Sequence, residues 1–323
     1  MEFGVIGLGN HAINRIFPAI ARAGHSVSAV YSRSGEKAEK ISGQTGAEPF
    51  TSLEKFLSHR FEAAYIASPN FLHFDHAMSC LDSGKDVLLE KPMTVLTEDA
   101  ETLVRKSASS GRKLAVAFHM RFHPAIQIIR DALEREEIGN VTRISGTWGG
   151  LSTSRIDTPD TRWWRIPAEV GGGSVMGTGV HVIDSIRYVT GDSPEAVFAR
   201  RYPRREIIDS TEEIMLSFGR YTAHVTSSRK MFTPDNSLYI HGDEGTIEGA
   251  SIFGTEIKGK VVVNGKIVKS FRGGSPYVGE ISGFVDLVNG KKSRIAMGED
   301  GLAAVRIVNA AVLSDSEGKE VKI

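Results

Sequence analysis

Up to about His119, brief runs rich in Val, Ile and Ala alternate with longer stretches of amphipathic spacing. The runs are "FGVIG", "SVSAVY", "AAYIAS", "DVLLE" and "KLAVAF". Continuous apolar runs suit strands buried on both faces, and the spacing between them suits helices. The pattern therefore predicts a parallel sheet covered on both sides. In "TSLEKFLSH", Thr51 stands three residues before Glu54, which predicts a capping box and a helix start.

From about Thr142 the pattern changes to strict alternation, in "TRISGTW", "EEIMLSF", "TAHVTSS", "SLYIHG" and "KVVVNGKIVKSF", with Asn264-Gly265 as a hairpin signal. This predicts a mainly antiparallel sheet. One face of it, as "TAHVTSS" and "SLYIHG" alternate, is expected to be apolar enough to need a twofold-related copy. Helical spacing returns at 278–289 and 299–314 before a last short strand in "EVKI". Two domains are expected, 1–120 and 121–323.

Composition narrows the partners. The 323 residues suffice for two domains, and 39 basic against 39 acidic side chains leave no net field toward a nucleic acid or an anionic membrane. A small molecule is the expected partner. Cys80 is the single cysteine, so no internal disulfide forms, and its helical setting suits a buried thiol in a reducing compartment. The first residues enter a strand with no basic leader, and no apolar run reaches membrane-spanning length, which predicts a cytoplasmic protein.

"GVIGLGNHAINRI" carries Gly7, Gly9 and Ala12 between the first strand and a helix, matching G-x-G-x-x-[GA]. The first glycine permits the turn, the second leaves room for a pyrophosphate against backbone, and Ala12 keeps helix and strand close. In this context the motif predicts a Rossmann-type doubly wound sheet that binds a dinucleotide. The second strand lacks the acid that binds the ribose 2'-hydroxyl of NAD, and its end reads "YSRS" instead. Ser32 and Arg33 suit a 2'-phosphate, so NADP(H) is expected over NAD(H).

"VLLEKPM" ends an apolar run in Lys91, held between Glu90 and Pro92. An ammonium fixed there can stabilise charge developing on a carbonyl oxygen, and Pro92 restricts the backbone of Lys91. His181 opens "HVIDSIRYV" and is a natural proton donor. The histidine pairs His73/His76 and His119/His123 lack completing ligands, so no metal is expected. "ARRYPRRE" at 199–206 reads as a solvated edge strand, and Trp148 as core.

With these motifs in their order, the chain resembles the glucose-fructose oxidoreductase and inositol dehydrogenase (Gfo/Idh/MocA) family over essentially its whole length. The fingerprint, "AYIASPNFLH", "EKP", "AFHMRFHPA", "GGGSVMGTGVHVID", "HGDEGTIEG" and "GEDGLAAVRIVNAAVLS" carry the resemblance. It implies that residues 1–120 bind NAD(P) and that 121–323 form an open-faced α+β domain for substrate binding and oligomerisation. It implies a hydride transfer between the nicotinamide and a sugar, polyol or related hydroxy or carbonyl compound. The alternatives are a non-sugar substrate, such as a cyclic diol or tetrapyrrole, and a dinucleotide-sensing regulator.

By the same resemblance, cofactor contacts come from Gly7, Gly9, Asn10, His11, Ala12, Ser32, Arg33, Ser68, Pro69, Asn70, His73, Glu90, Lys91 and Arg121. Lys91 and His181 are the implied catalytic pair, and Trp164 and Arg165 join them in holding substrate. Many members carry an aspartate four residues before the histidine, where this chain has Gly177. Asp184, three residues past His181, is the nearest substitute.

Overall fold

The computed structural model describes residues 1–151, 173–203 and 209–323. They form two compact units, one of residues 1–118 and 277–302, the other of 119–276 and 303–323. The division expected at residue 120 runs along the chain, whereas the first unit also takes in a late segment. That segment returns because its helix is strongly apolar and packs on the parallel sheet, with Phe284 against Phe3 at 6.1 Å between ring centres.

In the first unit the strands are β1 (Glu2–Ile6), β2 (Ser26–Tyr31), β3 (Glu48–Phe50), β4 (Ala63–Ile66), β5 (Asp86–Leu89) and β6 (Leu114–Val116). The helices between them are α1 (Phe17–Arg22), α2 (Gly35–Thr45), α3 (Leu53–Ser58), α4 (His73–Asp82) and α5 (Thr97–Ser110). Every β4 and β5 residue is buried, as continuous apolar runs require. The sheet runs β6-β5-β4-β1-β2-β3 in parallel, with a two-residue strand, Ala296–Met297, added antiparallel beside β6. The chain leaves β1 toward β2 and β3 and then returns to β4 on the other side. That reversal opens a crevice at the carboxyl ends of β1 and β4.

Local chemistry sets the helix starts. α3 is capped by Ser52, whose Oγ accepts from the Lys55 amide at 3.3 Å. The cap thus lies one residue later than the Thr51 expected from sequence, because Ser52 takes the extended backbone conformation that a cap needs. Before α1 the chain makes a π-helical turn over Ala12–Ile16. Pro18, in the first turn of α1, has no amide hydrogen to donate back into that turn.

The second unit holds α6 (Pro124–Glu134), β7 (Val141–Gly149), α7 (Val180–Thr190), β8 (Ala196–Tyr202), β9 (Thr211–Ser217) and β10 (Thr222–Ser228). β11 (Leu238–Gly242), β12 (Thr246–Ala250), β13 (Lys258–Val263) and β14 (Lys266–Arg272) follow. The order is β14-β13-β12-β11-β7-β10-β9-β8, with Val321–Lys322 beyond β8. All pairings are antiparallel except β7 with β10. Asn264 and Gly265, at φ 49° and 76°, make the two-residue turn between β13 and β14.

Two expectations change here. The apolar face of the sheet is covered by the unit's own α6 and α7, and the alternate positions Thr222, His224, Thr226, Tyr239 and His241 are polar or amphipathic. The need for a partner therefore does not follow from an uncovered apolar face. β8, read from sequence as an edge, is second from it, and Arg201 is tied to Asp315 at 3.0 Å. Residues 204–206 of that basic cluster lie outside the described residues. No helix among the described residues is long and apolar enough to cross a membrane.

Two late helices complete the chain, α8 (Pro276–Val288) and α9 (Gly298–Glu317). Cys80 is buried in α4, and burial pushes its thiol up to about 12, which leaves it inert.

Candidate active site

The carboxyl ends of β1, β2, β4 and β5 carry most of the residues predicted to meet a cofactor. After β1, Gly7 has φ +92°, and a Cβ there would lie 2.5 Å from the carbonyl oxygen of Ala67. Only glycine lets the first and fourth strands' loops pass so closely. A Cβ on Gly9 would meet nothing within 4 Å, so the exposed backbone from Gly9 to His11 borders open space where the helical turn begins. This suits an anion such as a pyrophosphate.

After β2, Ser32 Oγ accepts from the Ser34 amide at 3.1 Å, and the Ser34 hydroxyl caps α2. Arg33 is exposed beside them. Its charge also reaches His76, whose Nδ1 lies 2.9 Å from Ser68 Oγ after β4. Burial is the largest influence on His76 and holds it at about 4, with His73 and Arg33 pushing the same way. No carboxylate lies between Gly24 and Gly35, so the loop fits a 2'-phosphate and repels none.

His73, also expected at the cofactor, is fully buried. Its Nδ1 lies 2.8 Å from Pro92 O and its Nε2 2.9 Å from Ser68 O. Burial lowers its pKa, opposed by these two carbonyls. It therefore ties the β4 and β5 loops together and presents neither nitrogen outward. Asn70 is buried beside it, and Pro69 is partly exposed.

Glu90 gathers donors. Its Oε1 accepts from the Tyr65 hydroxyl at 2.6 Å and lies 2.7 Å from His11 Nε2, while Oε2 accepts from the Lys91 amide at 3.1 Å. Burial alone would raise its pKa, but His11, Lys91 and Tyr65 overcome this and hold it at about 2. Glu90 is thus a carboxylate at every working pH. Lys91 is half-buried next to it, and the Lys91–Pro92 peptide is cis.

The second unit assembles a different group. His181, one residue into α7, is buried between His119, at 4.6 Å edge-on, and Trp148, at 5.1 Å. Trp148 stacks on Phe253 at 5.6 Å and is only half-buried. It is therefore a wall beside His181 rather than the core residue expected. Both oxygens of Asp184, the nearest substitute in sequence, bind Arg121, at 2.7 and 3.0 Å. Arg121, expected at the cofactor, is buried in this pair. A Cβ at Gly177 would lie 3.0 Å from Arg229 Nη2, so the position of the family's aspartate adjoins a guanidinium. Trp164 and Arg165 lie outside the described residues.

Sequence reasoning missed Tyr65, Tyr277 and Glu280. Tyr277 packs edge-on against His11 at 5.4 Å, and Glu280 is fully buried one turn later on α8. Tyr277 and Glu280 follow Lys91 by 186 and 189 residues, which left no local signal.

A parallel sheet whose strand-end loops fit a dinucleotide defines a nucleotide-dependent α/β protein. Residues 1–118 match the model of the oxidoreductase family with an NAD-binding Rossmann fold, and residues 126–248 match the GFO/IDH/MocA C-terminal domain. The chain belongs to the Gfo/Idh/MocA oxidoreductases. It is 31% identical over 252 residues to scyllo-inositol 2-dehydrogenase (NADP(+)) of Bacillus subtilis, spanning 76% of this chain and 75% of that one. It is 25% identical over 333 residues to D-xylose 1-dehydrogenase (NADP(+)) 2 of Haloferax volcanii, across the whole of both. Its fold matches aldose-aldose oxidoreductase from Caulobacter crescentus with a TM-score of 0.88 at 23% identity, covering 100% and 99% of the two chains.

Proposed function

We propose that this oxidoreductase works with NADP(H) in preference to NAD(H), on a sugar, polyol or related hydroxy or carbonyl compound. The observation that carries the reading is the convergence of Gly9, Ser32 with Arg33, Ser68 to Asn70 and Lys91 at neighbouring strand ends of one parallel sheet. The two NADP(+)-dependent relatives, acting on an inositol and on xylose, support the cofactor and the substrate class.

A bound NADP(H) would supply or take the hydride. The backbone from Gly7 to Ala12 would hold its pyrophosphate, and Ser32 and Arg33 its 2'-phosphate. Lys91 stabilises the alkoxide and gives it a proton in reduction, and takes that proton back in oxidation. Glu90, held as a carboxylate, accepts from the Lys91 backbone amide and so fixes the strand end that carries the lysine. In the second unit, His181 in its aromatic setting is the further, weaker proton donor that the family resemblance implies, and Trp148 beside it offers an apolar face.

A screen of aldoses, ketoses and polyols with each cofactor, followed at the reduced nicotinamide absorbance, tests the reading. Turnover with NADPH or NADP(+) on a member of this class is expected. Turnover confined to NAD(H) would remove the role given to Ser32 and Arg33. Absence of turnover together with tight dinucleotide binding would favour the regulator.

We also propose a cytoplasmic setting, supported by the buried free thiol of Cys80. Self-association through the open face of the nine-stranded sheet is proposed as well, on the half-buried Phe198, Met215 and Tyr239 interspersed there. Light scattering at micromolar concentration checks it.

A further inference from the structure

Gly7, Gly9 and Ala12 satisfy the glycine-rich fingerprint, and the positions between them carry no side-chain requirement of their own. His11 nevertheless has a defined setting. It opens the helical turn Ala12–Ile16, yet its side chain makes no cap there. The ring turns instead toward the end of β5, where Nε2 lies 2.7 Å from Glu90 Oε1. Glu90 is a carboxylate and only accepts, so Nε2 carries the hydrogen and donates it. Tyr277 of α8 flanks the ring edge-on at 5.4 Å.

The acceptor is itself anchored. Glu90 is buried, and it also takes the Tyr65 hydroxyl from β4 at 2.6 Å and the Lys91 amide at 3.1 Å. Donors from the glycine-rich loop, from β4 and from the end of β5 thus meet on the two oxygens of one carboxylate. A charge-assisted bond of this length is strong, and stripping a donor from a buried carboxylate is costly. The His11 side chain remains 40% exposed, so what it offers the fold is this bond rather than apolar packing. It is also the one side chain of residues 8–11 that hydrogen-bonds outside the loop among the described residues.

We propose that His11 is a positioning residue that acts through Glu90, clasping the pyrophosphate-binding loop to the strand end that carries Lys91, so that the loop is set before a dinucleotide arrives. The inference rests on the dinucleotide reading above and adds the device that presets the loop. The clasp raises affinity because the backbone is ordered during folding rather than at binding. It also joins the two ends of the cofactor site, since a shift of the loop pulls on the acceptor of the Lys91 amide.

His11→Ala removes the donor, whereas His11→Gln keeps an amide N–H at similar reach. The position is exposed, so both variants should fold. The full-length protein is titrated with NADPH, with 2'-phospho-ADP-ribose and with 2',5'-ADP, the last of which lacks the pyrophosphate. In His11→Ala the Kd for the first two should rise by about 10-fold, the cost of ordering roughly one residue's backbone at binding, while that for 2',5'-ADP stays within about threefold. His11→Gln should recover most of the loss. A merely structural ring would weaken all three ligands alike, with no recovery by glutamine. In Glu90→Met, which keeps the length and removes the acceptor, adding His11→Ala should change the Kd for NADPH by less than about twofold. Should Glu90→Met not fold, the two His11 variants still decide. The clasp is overturned by an unchanged Kd for NADPH in His11→Ala, by equal weakening of 2',5'-ADP, by a glutamine variant as weak as the alanine one, or by the full loss repeated in Glu90→Met. A parent protein that binds none of the three ligands would remove the dinucleotide reading and the clasp with it, whereas tight NADPH binding by parent and His11→Ala alike refutes the clasp alone.

Discussion

Arg121 and Asp184 form a two-pronged ion pair, Nη2 to Oδ1 at 2.7 Å and Nε to Oδ2 at 3.0 Å, with side-chain exposures of 6% and 0%. The pair joins the turn before α6 to the middle of α7, one helical turn beyond His181. It takes the carboxylate nearest to the imidazole in sequence and spends it on holding the helix.

Removing one partner should therefore damage stability before chemistry. Asp184→Asn leaves a buried guanidinium uncompensated and should cost about 3–5 kcal/mol, measured by urea unfolding. Replacing both, as Arg121→Met with Asp184→Leu, should recover most of that loss. A loss below about 1 kcal/mol in the single variant would show that the pair is effectively solvated.

The cofactor preference should respond to Ser32. A carboxylate in Ser32→Asp repels a 2'-phosphate and accepts from a 2'-hydroxyl, so the ratio of Kd for NADH to Kd for NADPH should fall by about 10-fold or more. Equal constants for the two cofactors in the unaltered enzyme would contradict the assignment of Ser32 and Arg33.

Lys91→Met should lower kcat by on the order of 10²- to 10⁴-fold with little change in cofactor affinity. His181→Asn should cost less, because the carboxylate expected to serve it is held by Arg121. Gly177→Asp should fold, since the atom it first meets is the flexible end of Arg229. Its carboxylate should pair with that guanidinium and leave turnover within about twofold of the parent. Loss of turnover in His181→Asn alone, with Lys91→Met active, would reverse the two roles.

Acid sensitivity should trace in part to His76. Burial depresses its folded-state value from 6.5 to about 4, so its contribution to stability is complete above pH 6.5 and is lost as pH falls toward 4. The slope over that window is about 1.4 kcal/mol per pH unit for one proton, on the order of 3 kcal/mol in all. His76→Gln should flatten the pH dependence of the urea midpoint over that window. An unchanged slope would show that the imidazole is already protonated in the fold.

Much of the dinucleotide half of the site was legible in the sequence because it is local. Gly7, Gly9 and the acid-free end of β2 each lie within a few residues of a strand whose apolar run marks its end. The hidden features depend on residues far apart in the chain. Arg121 and Asp184 are 63 residues apart, and no spacing rule predicts that they meet. Trp148 lies within the alternating strand β7 and read as core because alternation reports which face a side chain takes, not whether that face is closed. His73 carries the residue type of a ligand contact, yet its nitrogens are used by backbone carbonyls that only the fold brings together.

The return of α8 to the first unit has a consequence for how the protein is made. The stretch that enters β1, β4 and β5 leaves the ribosome long before residues 277–302 exist, so Phe3 waits for Phe284, and His11 for Tyr277. The nascent nucleotide-binding half must persist with part of its apolar surface uncovered while eight of the nine strands of the second sheet are synthesised. A chain halted before residue 276 should therefore be a substrate for chaperones and proteases, even though it contains every residue of the glycine-rich loop.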